Sequence, residues 1–519
     1  MRDLSRRTLI AAGGLALAPS GVFAAGASPV AKTTNGPVRG YVDQGIKVFK
    51  GVRYGAGTGP RRFKPPLPPM PWTKTLDATA HGPSSPQGSR DDERQSEDCL
   101  FLNVWTPGLG SKRPVMVYLH GGAYSTGSGS SPLYDGVRLC RRGDVVVVTI
   151  NHRLNVFGYG FLAKLAGFAD SGNAGMLDIL LALRWVADNA AAFGGDPGRV
   201  MVFGQSGGGA KIATLMAMPA AAGLFHTAAT MSGQQVTASG PLHATERMTL
   251  FLDAVGLTPD RAAEAATLPV AKLLEGLAVR DPFTPGGLYF GPVLDERSLT
   301  RHPFWPGAAP QGLTIPMIIG NTRDEARAFV AKSKPDPFTM GWDEVAGRIA
   351  PEMRVDIDPD HVVAAYRAMY PDYSPSEVFF AAITAGRSWR GAVIEAEERA
   401  RAGAPAFVYQ LDLPSTVEGG RLRAMHTTDI PLVFDNLAAK GSPVAPSPAA
   451  QSVADAMSEA FIALAKTGNP NHPGIPTWTP YDLTRRATMV FDAETRLVDD
   501  PRGAERRLFA KVPYIQPGT

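Results

Sequence analysis

The segment Arg199-Val200-Met201-Val202-Phe203-Gly204-Gln205-Ser206-Gly207-Gly208 is an apolar run that ends in a Gly-rich turn, and an Ala-rich stretch from about Gly208 to Met218 follows it. This order predicts a strand, a sharp turn and a helix, with Ser206 at the turn. Glycines suit the flanking positions because side chains there would clash where the chain doubles back. The pattern therefore predicts that the turn presents Ser206 as a nucleophile.

Two other interpretations of this turn are a plain Gly-rich loop and a phosphate cradle. A phosphate-binding loop requires Lys and then Ser or Thr after the glycines, whereas Lys211 is followed by Ile212. The start of a helix behind Ser206 also favours negative charge on a substrate oxygen. The nucleophile interpretation is therefore preferred.

Other apolar runs alternate with helical patterns along the chain. Leu177, Leu181 and Trp185 recur at helical spacing, and further strands are predicted at Pro114–Leu119, Asp144–Ile150, Ile315–Ile319 and Ala406–Leu411. Alternating strands and helices predict an α/β fold with a mainly parallel central sheet flanked by helices. Because no repeat or low-complexity linker interrupts the chain after Ala24, we expect one domain, residues 25–519, with large loop insertions.

The composition excludes several classes of protein. The 519 residues are 44% hydrophobic and 19% charged with a net charge of +4, so neither disorder nor a polybasic nucleic-acid surface is indicated. Cys99 and Cys140 do not form a CxxC pair, and no HExxH sequence is present. We therefore expect two buried, inert thiols, no metal, no cofactor and no nucleic-acid partner.

The N-terminal residues have the features of an export signal. Arg6-Arg7 forms a twin-arginine pair, an apolar run from Leu9 to Ala18 follows, and Val22-Phe23-Ala24 offers a small-residue cleavage site. The alternative is a short membrane anchor, but the run is below the roughly 20 residues that span a bilayer. Residues 1–24 are therefore predicted to be a cleaved signal. We expect a periplasmic or secreted protein with no membrane attachment after cleavage.

The sequence His120-Gly121-Gly122-Ala123-Tyr124 follows the predicted strand that ends at Leu119. It is similar to the HGGG-type turn whose backbone N–H groups face a developing oxyanion. The predicted donors are the N–H groups of Gly122, Ala123 and Gly207. The alternative is an ordinary β-turn after a core strand.

A serine nucleophile needs a base and an acid, which follow it along the chain in this type of fold. His426 comes after the strand Ala406–Leu411, where we expect the last strand of the sheet to deliver the base, and is preferred to His302, His361 and His472. Asp324 and Glu325 follow the strand Ile315–Ile319 and are both candidates for the acid. The local pattern does not separate them.

Taken together, the chain resembles the type B carboxylesterase/lipase family, which includes the cholinesterases, from about Val38 to Asp482. The supporting stretches are Phe63-Lys64-Pro65-Pro66, Ser96-Glu97-Asp98-Cys99-Leu100-Phe101-Leu102-Asn103-Val104, Asn151-His152-Arg153-Leu154, Phe193-Gly194-Gly195-Asp196-Pro197 and Gly468-Asn469-Pro470. The resemblance implies an α/β-hydrolase fold and a carboxylesterase that acts on a small-molecule ester through an acyl-enzyme. It implies Glu325 as the acid and His426 as the base, Ser232 behind the acid, and pairing of Arg53 with Glu97.

The sequence departs from the family at several positions. Gln205 and Gly207 flank Ser206 where the family usually has Glu and Ala, and Ala326 follows Glu325 where Gly is usual. Ser85 stands where many relatives have the cysteine that bridges to Cys99, so that disulfide is not expected. Tyr124 and Phe157 could line the substrate pocket or pack in the core. Acyl preference, ester against amide or carbamate preference, and oligomeric state are not given by the sequence.

Gln205 leads to a testable expectation about charge. Because it removes a negative charge beside Ser206, we expect no special preference for choline-like cationic esters. Rates on a choline ester and on a neutral ester of equal size would be compared. Far faster hydrolysis of the choline ester would contradict the expectation.

Overall fold

The computed structural model describes residues 28–88, 94–283 and 286–516. The predicted signal, residues 1–24, lies outside the described residues. Within the described part of the chain, no helix is long and apolar enough to cross a membrane.

The described residues form fourteen strands and fifteen α-helices. The strands are β1 (Val30–Lys32), β2 (Pro37–Arg39), β3 (Tyr41–Asp43), β4 (Ile46–Arg53), β5 (Leu76–Asp77), β6 (Phe101–Thr106), β7 (Arg113–Leu119), β8 (Val146–Ile150), β9 (Gly195–Gln205), β10 (Thr227–Met231), β11 (Met317–Thr322), β12 (Ala406–Leu411), β13 (Ala487–Phe491) and β14 (Arg496–Asp499). The helices are α1 (Val137–Gly143), α2 (Asn155–Tyr159), α3 (Ala163–Ala166), α4 (Ala174–Asn189), α5 (Gly207–Leu215), α6 (Pro241–Ala254), α7 (Val270–Gly276), α8 (Arg327–Val330), α9 (Trp342–Ile349), α10 (Pro359–Met369), α11 (Pro375–Thr384), α12 (Arg390–Arg401), α13 (Asp429–Val433), α14 (Pro448–Thr467) and α15 (Gly503–Phe509).

Eleven of these strands form one sheet in the order β14-β13-β12-β11-β10-β9-β7-β8-β6-β4-β3. Every neighbouring pair from β13 to β8 is parallel, and the pairs at both edges are antiparallel. Strands β1, β2 and β5 form a separate small sheet. The predicted α/β-hydrolase fold with a mainly parallel central sheet is therefore confirmed.

The central strands are apolar on both faces because helices cover both faces. Along β7, Val115 and Val117 pack into one core cluster with α4 to α7, while Met116 and Tyr118 pack into a second cluster with α1, α13 and α14. This alternation follows from the two-residue period of a strand. The continuous apolar runs in the sequence are therefore explained by a sheet buried on both sides.

The predicted strands lie at about the same positions in the structure, but some of their first and last residues differ. The strand β12 has the predicted bounds, whereas β9 begins at Gly195 and β11 is displaced to Met317–Thr322. The expectation that β12 is the last strand is wrong, since β13 and β14 follow it and extend the sheet. Both strands lie after the long helix α14, and no sequence pattern indicated that they pair with the sheet.

A third apolar cluster forms among α8 to α11 and α15, away from the two faces of the sheet. Its members include Val345, Phe380 and Phe509, which are buried. Between α11 and α12 the chain forms a π-helical turn, Ala385–Trp389. Such turns are rare and are found frequently at functional sites.

Some of the buried charges inside the fold form ion pairs. Arg153 donates from Nη2 to Asp178 Oδ1 at 2.6 Å and from Nε to Oδ2 at 2.8 Å, and both side chains are at most 2% exposed. The pairing of Arg53 with Glu97 that the resemblance implied is wrong. Arg53 instead contacts Asp98 at 2.5 Å, and Glu97 pairs with Arg62 at 2.6 Å, because Arg62 reaches Glu97 from the neighbouring loop.

Both cysteines are buried free thiols, as expected for Cys99 and Cys140. Burial raises the pKa of each thiol far above its ordinary value. The thiolates are therefore not accessible at neutral pH, which makes these side chains inert.

The buried pair predicts a large loss of stability when one partner is removed. Arg153→Met leaves the Asp178 carboxylate buried without a counter-charge, so the free energy of unfolding should fall by about 3–5 kcal/mol. Arg297→Met is the control, because Arg297 pairs with Asp170 at the surface with 59% of its side chain exposed, and exposed pairs contribute at most about 1 kcal/mol. Urea denaturation measures both. Equal losses in the two variants would contradict the prediction.

Candidate active site

Ser206 lies at the turn between β9 and α5, at the N-cap of the helix. Its backbone has φ 57° and ψ −126°, which is a strained conformation for a residue with a side chain. Its N–H donates to the Met231 carbonyl at the end of β10, at 2.7 Å. The neighbouring strand therefore supports the strained turn that presents the hydroxyl.

Glu325 follows β11 and is completely buried against His426. One carboxylate oxygen contacts His426 Nδ1, and the other accepts the Thr322 N–H at 2.8 Å. Burial opposes the charge, but His426, the nearby Ser232 side chain and the Thr322 N–H hold the pKa of Glu325 below its ordinary value. Glu325 is therefore ionised at neutral pH and fixes the orientation of the imidazole.

The geometry separates the two carboxylates that the sequence left open. Asp324 pairs with Arg327 at 3.1 Å and does not take the place beside His426. Ser232 follows β10, with φ 53°, and its N–H donates to the Gly320 carbonyl of β11 at 2.7 Å. The structure thus brings Ser232 to Glu325, where the resemblance located it.

Gln205 contacts the imidazole directly. Its Nε2 lies 3.1 Å from His426 Nε2, the nitrogen opposite the one that Glu325 holds. Because Glu325 keeps a proton on Nδ1, Nε2 of the neutral ring accepts this hydrogen bond. Gln205 is therefore a neutral side chain held against the nitrogen that faces the pocket.

The predicted oxyanion donors come together at the turn after β7. Gly122 has φ 89° and Ala123 has φ 53°, so two successive residues adopt positive φ there. A Cβ atom added at Gly207 would lie 2.1 Å from the Ala123 carbonyl oxygen. The turn thus approaches the start of α5 so closely that only glycine fits at position 207, which explains the absence of the alanine usual in the family.

Lys211 is a functional candidate that the sequence reasoning used only to exclude a phosphate site. It is fully buried on α5, one turn after Ser206, and its ammonium donates to the Ala123 carbonyl at 2.7 Å and the His120 carbonyl at 3.2 Å. Burial lowers the pKa of Lys211 to about 7. Lys211 therefore holds, through their carbonyl oxygens, the residues of the turn that contains the predicted oxyanion donors Gly122 and Ala123.

Asp429 is a second group that sequence reasoning missed. It is completely buried at the start of α13, and Tyr409 donates to its Oδ2 at 2.7 Å. Burial and the nearby charge of Glu325 raise the pKa of Asp429 to about 7. Asp429 lies three positions after the candidate base His426, and no sequence pattern identified it as a functional residue.

A pocket of about 280 Å³ opens over these groups. Ser206, His426, Ala123 and Gly207 line it, together with Tyr289, Phe329, Arg354 and Arg387. Tyr124 and Phe157 do not line it and pack in the core; the Tyr124 hydroxyl donates to Gln235, a lining residue, at 2.9 Å. The Phe329 ring lies 4.8 Å from the His426 ring. No group of three or more His, Cys, Asp or Glu residues that could hold a metal occurs among the residues described.

The buried lysine predicts a specific dependence of stability on pH. Between pH 7 and its ordinary pKa, the unfolded chain keeps a proton on Lys211 that the folded chain has lost, so the free energy of unfolding rises with pH there. Lys211→Met removes this contribution. From pH 7 to pH 9 the stability difference should therefore change in favour of the wild type, by at most about 1.4 kcal/mol per pH unit. Urea denaturation measures it.

The matched control for this measurement is Lys112→Met, which removes an exposed lysine. Its stability difference from the wild type should stay constant over the same pH range. A constant difference for Lys211→Met as well would contradict the prediction.

Comparison with known proteins identifies the family of this chain. Residues 27–509 match the carboxylesterase family. The chain is 34% identical to a para-nitrobenzyl esterase of Bacillus subtilis over 496 residues, which is 92% of this chain and 98% of the relative. It is 34% identical to a phenmedipham hydrolase of Pseudarthrobacter oxydans over 492 residues, which is 90% of this chain and 95% of the relative.

A solved structure leads to the same family. A Geobacillus stearothermophilus carboxylesterase superimposes with a TM-score of 0.83 at 36% identity, covering 92% of this chain and 99% of the other. The sequence resemblance is thus confirmed over nearly the whole length. The chain belongs to the carboxylesterase family and is a carboxylesterase, an enzyme that hydrolyses carboxylic esters.

Proposed function

We propose that this carboxylesterase forms an acyl-enzyme on Ser206, with His426 as the general base and Glu325 as the acid that orients it. The observation that carries the proposal is the contact of buried Glu325 with His426 Nδ1, in a pocket that His426 and Ser206 both line. A serine hydroxyl is a weak nucleophile until a base removes its proton. Glu325 keeps Nε2 of His426 free of a proton and turned towards the pocket.

In the first half of the reaction, His426 Nε2 takes the proton of the Ser206 hydroxyl as Oγ attacks the ester carbonyl carbon. The carbonyl π electrons move to oxygen, and the N–H groups of Gly122, Ala123 and Gly207 stabilise that oxyanion. His426 then gives its proton to the alkoxy oxygen, the carbon–oxygen bond breaks, and the alcohol leaves.

In the second half, water replaces Ser206 as the nucleophile. His426 takes a proton from the water as its oxygen attacks the acyl carbon, and the same three N–H groups stabilise the second oxyanion. His426 then returns the proton to Ser206 Oγ, and the carboxylic acid leaves.

Gln205 and Lys211 support these steps without reacting. The Gln205 amide on His426 Nε2 holds the imidazole at the pocket, and it must yield this position to the Ser206 hydroxyl when the proton is transferred. Lys211 holds the Ala123 and His120 carbonyls, so the donors of the oxyanion turn are oriented before substrate binds. Donors that need no reorganisation stabilise a developing charge most effectively.

The test is hydrolysis of p-nitrophenyl esters, from acetate to long-chain acyl groups, by the wild type and three variants. Ser206→Ala should abolish turnover. Glu325→Gln should lower kcat by about 10⁴-fold, since the amide no longer holds the required tautomer. Asp324→Asn is the matched control and should stay within a few-fold of the wild type, because Asp324 pairs with Arg327 instead.

Circular dichroism would establish that each variant is folded. Activity that survives Ser206→Ala would contradict the nucleophile. Equal losses in Glu325→Gln and Asp324→Asn would contradict the assignment of the acid.

A further inference from the structure

Two arginines line the same pocket as Ser206 and His426. Arg354 follows a short 3-10 turn, Ala350–Glu352, and Arg387 lies in the π-helical turn Ala385–Trp389. The Arg354 N–H donates to the carbonyl of Gly386 at 3.1 Å, which ties the two segments together. The two guanidinium groups are therefore built into one wall of the pocket by backbone structure.

The positive charge on this wall exceeds the negative charge. Arg387 pairs with Glu352 at 2.6 Å, and its guanidinium lies over the Phe329 ring at 4.8 Å. Arg354 has no carboxylate within 4.0 Å among the described residues, and its buried Nε has no hydrogen-bond partner there. The described residues that line the pocket include no Asp or Glu. One guanidinium therefore faces the pocket without a described carboxylate in direct contact.

A partly buried guanidinium with an unsatisfied N–H group costs free energy unless another group pairs with it. Burial lowers the pKa of Arg354, and the adjacent Arg387 lowers it further. A planar guanidinium binds a carboxylate through two parallel hydrogen bonds, which supply both the missing charge and the missing acceptor. A bound carboxylate would thus satisfy what the protein itself leaves unsatisfied.

On the basis of the ester hydrolysis at Ser206 proposed above, we propose that the preferred substrates are esters that also carry a free carboxylate, and that Arg354 binds this group. Monoesters of dicarboxylic acids and esters of hydroxyaromatic acids have this chemistry. Arg387, paired with Glu352, lies over the Phe329 ring, which contacts the His426 ring. The neutral Gln205 is consistent with this preference, since a carboxylate there would repel an anionic substrate.

The experiment uses two pairs of esters that differ only in charge. On the acyl side, the monoethyl ester of adipic acid is compared with the corresponding ester amide. On the alcohol side, the acetate of para-hydroxybenzoic acid is compared with that of para-hydroxybenzamide. The wild type should favour the carboxylate in at least one pair, by about 10- to 100-fold in kcat/KM. The preference should decrease as salt concentration rises.

Variants of Arg354 test whether this residue determines the preference for esters that carry a carboxylate. Arg354→Gln should reduce the carboxylate-to-amide ratio to near one, and Arg354→Lys should keep part of it, because lysine retains the charge but not the planar fork. Arg367→Gln is the matched control, since Arg367 is an exposed arginine over the Trp342 ring on the nearby helices α9 and α10. This control should leave the ratio as in the wild type.

A binding measurement separates this inference from the proposed function. Calorimetry on Ser206→Ala should detect the monoester or the aromatic ester that the wild type prefers, and Arg354→Gln in the same background should lose that binding. Equal use of both esters in both pairs, with no change in Arg354→Gln, would overturn the inference while ester hydrolysis stands. If the folded wild type hydrolyses p-nitrophenyl esters but none of the four esters, the inference fails. If it hydrolyses none of the p-nitrophenyl esters either, the proposed function fails. Arg354-dependent binding then supports the inference, and its absence overturns it.

Discussion

The close approach of three chain segments at Ser206 is the constraint on which the site depends. Ser206 donates its N–H to the end of β10, and a Cβ atom at Gly208 would lie 1.9 Å from the Leu119 carbonyl at the end of β7. Parallel strands that end at the same edge bring these backbones together, and the strained φ of Ser206 persists only because its neighbours hold it. The turn after β7, the helix α5 and the pocket all take their positions from this contact.

Around that turn the protein holds several ionisable groups away from water. Lys211, Glu325 and Asp429 are each completely buried, and each is held by backbone carbonyls, backbone N–H groups or a hydroxyl. Hydrogen bonds of this kind are stronger where water is excluded. Burying these groups costs free energy, which the large apolar core on both faces of the sheet offsets. As a result, the polar groups of the site are oriented before substrate binds.

Much of the site could be predicted because its elements are local in sequence. The elbow at Ser206 and the turn after Leu119 each show a strand end and a Gly-rich turn within ten residues. Lys211 was visible in the same motif, but its role depends on the carbonyls of a turn almost ninety residues earlier. Arg354 and Arg387 gave no signal, because they enter the pocket from a helical cluster whose position relative to the sheet no local pattern reveals.

The sequence by itself determined the fold class, the strand that carries Ser206 and the identity of the family, since apolar periodicity and short motifs report local geometry directly. Local pattern left Asp324 and Glu325 open and the family resemblance implied Glu325. The tertiary structure brings Glu325 alone of the two to His426, because adjacent residues point in different directions. It also replaced the expected contact of Arg53 with Glu97 by that of Arg62 with Glu97. The physical reason is the same in each case: the partner of a charged side chain is set by the packing of distant segments.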